Sequence, residues 1–200
     1  AIWPGPMDTR RQQVHNTASR IRAALGADHL PASSDSEYRV GPKVRTDLDL
    51  LRRRAAYAKT QEPAEAIETL RGALTLVEGP AFTYRSADRG AFTWVDTEHW
   101  TSETEARIVE VAWRLWHLCT EHGDTDGAIW AARQGLLASP GNTELTDALM
   151  RAYLAAGDRA AAKDVFVSHA KALDELEQDD PAPSTLQLWE DMQEGEPSRS

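Results

Sequence analysis

Apolar residues recur every three or four positions over most of this chain, which is the period of an amphipathic α-helix. The first stripe lies in residues 8–25, at Val14, Ala18, Ile21 and Leu25. Asp8 or Thr9 can cap this helix and Gly26 can end it, because short polar side chains favour helix starts and glycine favours the position after a helix. Polar and basic residues cover the remaining faces, so the pattern predicts an amphipathic helix with a polar outer face.

The same period predicts helices over most of the remaining chain, at 46–58, 62–77, 101–122, 124–138, 143–156, 158–176 and 184–193. Pro63 suits the first turn of its helix, where the missing N–H costs nothing. Thr101 or Ser102 is expected to cap the helix 101–122. The apolar face predicted for that helix consists of Ala106, Val109, Ala112, Trp113, Trp116 and Cys119. The expected fold class is therefore mostly α.

Two stretches break the helical pattern. Residues 37–40, Glu-Tyr-Arg-Val, follow a turn-rich segment and precede Gly41-Pro42, which predicts a short strand. Residues 79–100 form a long connection that carries the aromatic residues Phe82, Tyr84, Phe92, Trp94 and Trp100. We expect these aromatic side chains to fill a gap between helix layers rather than to stack on bases or a ligand.

A Gly-Asp pair occurs twice, at Gly123-Asp124 and at Gly157-Asp158. The two pairs are about 34 residues apart, which is the period of the tetratricopeptide repeat, in which each unit is a pair of helices. Glycine suits the left-handed position after one helix, and aspartate can then cap the next. Because a single helix pair cannot bury its apolar side, neighbouring units are expected to stack, with a more divergent pair near 47–77.

Charge is distributed unevenly along the chain. Residues 1–60 carry a net charge of +5 and residues 61–200 a net charge of −15, which together give the net charge of −10. A polyanion is therefore expected to meet the N-terminal part. The alternative is a mixed, solvated surface with no charged partner.

Few residues suggest chemistry. The single cysteine, Cys119, is expected to be a buried, inert thiol. The six scattered histidines are interpreted as surface or packing residues, and the sequence contains no phosphate-binding glycine loop, no hydrolase motif and no zinc-protease motif. We therefore expect no enzyme, no metal and no cofactor. No apolar run is long enough to span a bilayer, so a soluble, cytoplasmic protein is expected, without membrane contact by this segment.

A family resemblance rests on three segments. Residues 19–26 (Ser-Arg-Ile-Arg-Ala-Ala-Leu-Gly), followed by Tyr38-Arg39-Val40, resemble the recognition helix and wing of the Streptomyces antibiotic regulatory proteins. Ile2-Trp3-Pro4 is similar to the Leu-Trp-Pro that precedes this helix in the family. Residues 70–81, which end in Gly-Pro-Ala, resemble the pattern of the family's bacterial transcriptional activator domain. The resemblance covers nearly the whole chain.

The resemblance implies three regions: a partial winged helix-turn-helix at 1–45, a tetratricopeptide-like bacterial transcriptional activator domain at 46–193 and a disordered tail at 194–200. It implies a transcription regulator whose N-terminal helix enters the major groove of duplex DNA. The residues expected to face bases or phosphates are Arg10, Arg11, His15, Asn16, Ser19, Arg20, Arg39, Lys43 and Arg45. The repeat domain is expected to contact RNA polymerase or to form a self-dimer, and no small-molecule substrate is implied.

A second interpretation remains open. In it the repeat stack binds a protein segment in its concave face, at the C-terminus of a larger protein, and the N-terminal part no longer binds DNA. The negative charge of residues 61–200 favours a basic partner in that case.

Overall fold

The computed structural model describes residues 7–32, 38–82 and 99–194, and for residues 7–10 it describes the backbone alone. These residues form eight α-helices and no strand. The helices are α1 (Met7–Leu25), α2 (Asp47–Ala58), α3 (Pro63–Leu74), α4 (Trp100–Glu121), α5 (Thr125–Ala138), α6 (Thr143–Ala155), α7 (Arg159–Glu175) and α8 (Pro183–Glu194). The prediction of a mostly α fold is confirmed.

The chain divides into two compact units. One unit comprises residues 1–50 with 84–100, and the other comprises residues 51–83 with 101–200. The first unit contains α1 and the irregular segment after it. The second contains α3, α5, α6, α7 and α8, together with most of α2 and α4.

Both Gly-Asp pairs adopt the predicted geometry. Gly123 and Gly157 have positive φ angles of 73° and 79°. The Asp124 N–H donates to the Cys119 carbonyl at 2.8 Å, and the Asp158 N–H donates to the Tyr153 carbonyl at 2.9 Å. These bonds close a helix with the left-handed cap known as the Schellman motif.

Each aspartate then caps the helix that follows. Asp124 accepts the Gly127 N–H at 2.8 Å at the start of α5, and Asp158 accepts the Ala161 N–H at 2.9 Å at the start of α7. The two helix pairs α5–α6 and α7–α8 therefore begin in the same way, one repeat period apart. The predicted repeat is therefore confirmed in its helix pairs and in the caps that join them.

Small residues let α5 approach its neighbours closely. Its buried positions are Gly127, Ala128, Ala131, Ala132, Gly135 and Ala138. A Cβ on Gly135 would lie 2.4 Å from Leu145 Cδ1 and 2.7 Å from Ala112 Cβ, so glycine is needed where α5 meets α4 and α6. Fully buried leucines surround this stripe, namely Leu70, Leu74, Leu115 and Leu145. α6 in turn packs against α5, α7 and α8.

Two local predictions were wrong, and a third falls almost entirely outside the described residues. Tyr38–Val40 is irregular rather than a strand, because the described chain offers no second strand to complete a ladder; Glu37 lies outside the described residues. α4 begins at Trp100, so Thr101 and Ser102 lie in its first turn rather than capping it. The predicted tail 194–200 overlaps the last residue of α8, Glu194, and the rest of it is not described.

The buried face of α4 also differs from the prediction. It consists of Thr104, Ile108, Val111, Ala112, Leu115 and Cys119. Ala106 is exposed, and Trp113 and Trp116 are only half-buried, with parallel rings whose centroids are 4.9 Å apart. Ala112 and Cys119 are buried as predicted, and Val109, Trp113 and Trp116 are partly buried and pack against the same core.

The aromatic residues of the connection 79–100 are described only at its ends. Phe82 and Trp100 are 40% and 36% exposed, so neither fills a gap between helix layers as predicted. Tyr84, Phe92 and Trp94 lie outside the described residues.

Candidate nucleic-acid interface and repeat groove

The outer face of α1 carries five of the predicted DNA-contacting residues. Arg11, His15, Asn16, Ser19 and Arg20 are all exposed. At 3.6 residues per turn these five residues cover about half of the helix circumference, with Arg11 and Arg20 at the two edges. Arg10 belongs to the same helix, but its side chain is not described. The helix therefore presents two guanidinium groups, one amide and two further hydrogen-bonding groups over one exposed half of its surface.

Two of these residues have partners within the chain. The His15 ring makes a hydrogen bond through Nδ1 with the Tyr38 hydroxyl, and the two rings meet edge to face with centroids 5.7 Å apart. The Asn16 amide oxygen accepts a hydrogen bond from Gln12 Nε2 at 3.1 Å. His15 thus joins α1 to the segment after it, and Asn16 is oriented by its own helix.

The segment after α1 folds back on itself through polar contacts. The Arg22 guanidinium donates to the carbonyls of Leu30 at 2.9 Å and Pro31 at 2.8 Å. The Gly41 N–H donates to the His29 carbonyl at 2.7 Å, and a Cβ on Gly41 would lie 1.8 Å from the Asp28 carbonyl oxygen. Glycine is therefore required at the point where these two stretches touch.

The three predicted phosphate contacts on this segment are engaged locally. Lys43 forms an exposed ion pair with Asp28 at 2.6 Å, and Arg45 donates to the carbonyls of Pro42 and Val44. Arg39 is exposed and also makes a contact within the chain. The α1 residues share one exposed half of that helix, whereas Lys43 and Arg45 must leave a partner or share it to reach a phosphate.

The second unit contains a groove of about 600 Å³ between α5, α6 and α7. Leu149 and Tyr153 of α6 contribute to it, with Trp130 and Leu137 from α5 and Val165 from α7. Trp130 and Asp164 are one repeat period apart, as are Gln134 and Ser168, so equivalent positions of the two repeats face the groove. The walls are mainly apolar, with Arg133, Asp164 and His169 as the charged or titratable groups.

His169 is a buried polar residue in the groove wall, with 2% of its surface exposed. The Thr146 hydroxyl donates to the Asn142 carbonyl at 2.8 Å, which leaves its oxygen to accept a hydrogen bond from His169 Nδ1 at 3.2 Å. With the proton on Nδ1, the other ring nitrogen, Nε2, is a hydrogen-bond acceptor. This nitrogen has no partner within the described chain.

A second cavity, of about 700 Å³, adjoins the groove at Pro140, which lines both. Ala172, one helical turn after Ser168 on α7, lines this second cavity. Its wall contains Glu105, Glu144 and Glu175, from three different helices, and no basic residue. Burial raises the pKa of Glu105 above its ordinary value. The loop end of the groove is therefore acidic.

A polar cluster fixes the start of α5 against α3. Arg71 of α3 forms an ion pair with Asp124 at 3.2 Å and lies 5.4 Å above the centre of the Trp130 ring. Cys119 is fully buried beside this cluster. Burial and then the nearby Asp124 carboxylate raise the pKa of its thiol to about 11, which agrees with the predicted inert cysteine.

The sequence pattern does not by itself reveal the groove. It treats His169 as one of several scattered histidines. The sequence feature that could have located the groove is the repeat period, because positions 130 and 134 of α5 correspond to positions 164 and 168 of α7. Among the described residues, no group of histidine, cysteine or acidic side chains could hold a metal ion, and no helix is long and apolar enough to cross a membrane.

Stacked helix pairs that repeat at this period, with matching Schellman caps, define a tetratricopeptide-like helical-repeat protein. Residues 46–193 match the family model "Bacterial transcriptional activator domain", and the chain therefore belongs to this family. No curated protein matches the chain. A solved structure described as "Crystal structure of MamA" is similar to it at 16% identity, covering 86% of this chain and 98% of that chain with a TM-score of 0.31.

Proposed function

We propose that this chain is part of a transcription regulator in which α1 binds duplex DNA and the helical repeat contacts a protein. The family match supports the regulatory role. The observation that carries DNA binding is the exposed outer face of α1, where Arg11 and Arg20 flank Asn16 and Ser19. Residues 1–45 would form the DNA-binding part, 46–193 the activator domain and 194–200 a tail.

The residue types on α1 suit the two components of DNA recognition. Arginine side chains pair with phosphates or with guanine, and an asparagine amide can form two hydrogen bonds with adenine. The net charge of +5 in residues 1–60 favours approach to a polyanion, whereas the net charge of −15 in residues 61–200 disfavours it. The DNA contact is therefore assigned to the N-terminal part, in the cytoplasm, where DNA and polymerase are found.

The repeat would supply the contact with a protein. The family resemblance suggests two alternative partners, RNA polymerase and a second copy of the chain. Either contact would couple DNA binding by α1 to activation of transcription, and this coupling needs no catalytic step.

The proposal is tested by titrating the intact protein with a pool of random duplexes of about 30 base pairs, or roughly three helical turns, at several salt concentrations. Removing two phosphate contacts with Arg11→Ala and Arg20→Ala should weaken binding and reduce the slope of log K against log salt by about 2. Asn16→Ala should change the sequences that are selected from the pool, because the amide reads a base edge.

The matched control is the pair Arg151→Ala and Lys171→Ala, which removes the same charge from exposed positions of α6 and α7. This pair should leave the salt slope unchanged. Equal losses from both pairs would mean that net charge, rather than the face of α1, governs binding. Absence of salt-dependent DNA binding by the intact protein would refute the proposal.

A further inference from the structure

We propose that the groove of α5, α6 and α7 binds a peptide segment of a partner protein, and that this segment carries an apolar anchor residue and, a few residues away, a lysine or arginine. The inference deepens the protein contact of the proposed function and rests on it for the biological role of the partner. The recognition chemistry, in contrast, is argued from the groove alone. Three features carry it: the apolar wall, an unpartnered buried nitrogen and the acidic end.

The wall provides a place for an anchor side chain. Leu137 is 42% exposed although it lines a concave surface, and Leu149 is almost fully buried at 3%. The half-buried rings of Trp130 and Tyr153 and the side chain of Val165 complete the apolar lining. Filling such a concave apolar site removes both the groove and the ligand from water, which is how anchor residues contribute most of the affinity of a peptide.

The groove also contains a polar group suited to a peptide backbone. His169 Nε2 is an acceptor without a partner in the described chain, for the reasons given above. Leaving a buried acceptor unpaired costs free energy, and a donor from a ligand would remove that cost. A backbone N–H is such a donor, and every peptide residue except proline carries one.

The acidic end defines the charge of the ligand. Glu105, Glu144 and Glu175 line the cavity that continues the groove past Pro140, and its lining contains no basic residue. One of the three, Glu175, also forms an exposed ion pair with Lys171 at 3.5 Å. Carboxylates on one side of a cavity attract a cationic side chain and repel phosphate. A basic peptide therefore fits this end, whereas a nucleic acid does not.

The separation of the two ligand features follows from the positions of the two cavities. The apolar wall lies beside the middle of α5 and α7, and the carboxylates lie near the C-terminal end of α7 and the N-terminal ends of α4 and α6. Going from Ser168 to Ala172 to Glu175 along α7 covers about 10 Å at 1.5 Å per residue. An extended peptide spans this distance in about three residues, which is the separation that we expect between anchor and basic residue.

The test uses random peptides of about 12 residues displayed on phage, long enough to cover the groove at about 3.3 Å per residue. The intact protein is the target. Selection should enrich sequences in which an aliphatic or aromatic residue lies two to four positions from a lysine or arginine. Enrichment of acidic peptides, enrichment without this pattern, or no enrichment would overturn the inference.

A synthetic peptide with the enriched sequence is then measured by fluorescence anisotropy against variants of the groove. Leu137→Asp should weaken binding by about tenfold or more, because it places a charge in the apolar wall. The matched control is Val167→Asp on α7, an equally apolar residue that is 59% exposed and does not line the groove. The control should change affinity by less than about twofold, and equal losses in both variants would contradict the assignment.

The acidic end is tested separately. The pair Glu144→Gln and Glu175→Gln should weaken binding and remove most of its salt dependence, whereas Glu121→Gln with Glu190→Gln should do neither. Duplex DNA binding is measured on the same proteins. If the unmodified protein binds DNA but no peptide of the predicted kind, the groove alone is refuted, whereas peptide binding in a protein that binds no DNA refutes the proposed function alone.

Discussion

Helices α1 and α5 have the same kind of amphipathic pattern but differ in what covers their apolar faces. α5 buries six small residues within 14, whereas among the described side chains of α1 the only buried residue is Ala18. Ile21 and Leu25 of α1 are 42% and 58% exposed. The comparison shows that periodicity identifies the apolar side of a helix, whereas burial depends on whether other elements pack against that side.

The largest expected difference between the two regions concerns leucine truncation. Leu115→Ala, in the fully buried core of the repeat, should lower the free energy of unfolding by about 3–4 kcal/mol through lost burial and the cavity left behind. Leu25→Ala, at the exposed end of α1, should change it by less than about 0.5 kcal/mol. Urea denaturation followed by tryptophan fluorescence measures both, and a large loss for Leu25→Ala would show that the face of α1 is covered in solution.

The next largest effect tests the close approach of α5. Gly135→Ala should destabilise the protein by about 2 kcal/mol, because its Cβ would meet Leu145 and Ala112 at 2.4 and 2.7 Å. Gly72→Ala is the control, since the nearest atom to a Cβ there is the Arg54 guanidinium at 3.8 Å. That variant should stabilise the protein by up to about 1 kcal/mol through helix propensity. Stabilisation by both variants would contradict the packing described for α5.

A smaller effect is expected at the helix ends that define the repeat. Gly157→Val should cost about 1–2 kcal/mol, because a residue with a Cβ is strained at positive φ. No atom lies within 4 Å of that Cβ position, so the cost would come from the backbone alone. Glu177 occupies the same cap after α7 with φ of 53°, and Glu177→Gly should therefore stabilise the protein by up to about 1 kcal/mol.

These two cap variants check each other in thermal and urea denaturation. A neutral Gly157→Val would argue against the left-handed cap between the repeats. Destabilisation by Glu177→Gly would show that the Glu177 side chain contributes more than its backbone strain costs.

The smallest expected effect is the pH dependence of stability that comes from the buried thiol of Cys119. The Cys119 pKa is raised from 9.0 to about 11, chiefly by burial. The folded state therefore retains the thiol proton at pH values where the unfolded state has lost it, and stability should fall as pH rises from 9 towards 11. Between pH 8 and pH 10 the loss should be about 1 kcal/mol. Comparison with Cys119→Ala isolates this contribution, and an identical pH dependence in that variant would contradict it.

Much of the repeat was predictable because its signals are local. The Gly-Asp pairs at 123 and 157 specify a left-handed residue and a helix cap within a few positions, and both adopt that geometry. The start and burial of α4 were not predictable in the same way. Trp113 and Trp116 look like core residues by hydrophobicity, but they are only partly buried. Ala112 is the residue of α4 that approaches Gly135 of α5, where only a small side chain fits.

The candidate sites were predictable only in part. Helical spacing alone places Asn16 and Arg20 one turn apart on one exposed side of α1, with Arg11 at the opposite edge of the polar surface. The contacts of Lys43 with Asp28 and of Arg45 with its own loop depend on how residues 26–45 fold back. The groove depends on two helices one repeat period apart and on the unpartnered nitrogen of His169, which no local pattern indicates.

Hydrogen exchange of the intact protein, with and without duplex DNA, tests most directly whether DNA binds to α1 rather than to the repeat. The account predicts that DNA slows amide exchange in α1 and leaves exchange in α5 and α7 unchanged. Protection of α5 and α7 without protection of α1 would contradict it, because the DNA contact would then lie on the acidic repeat.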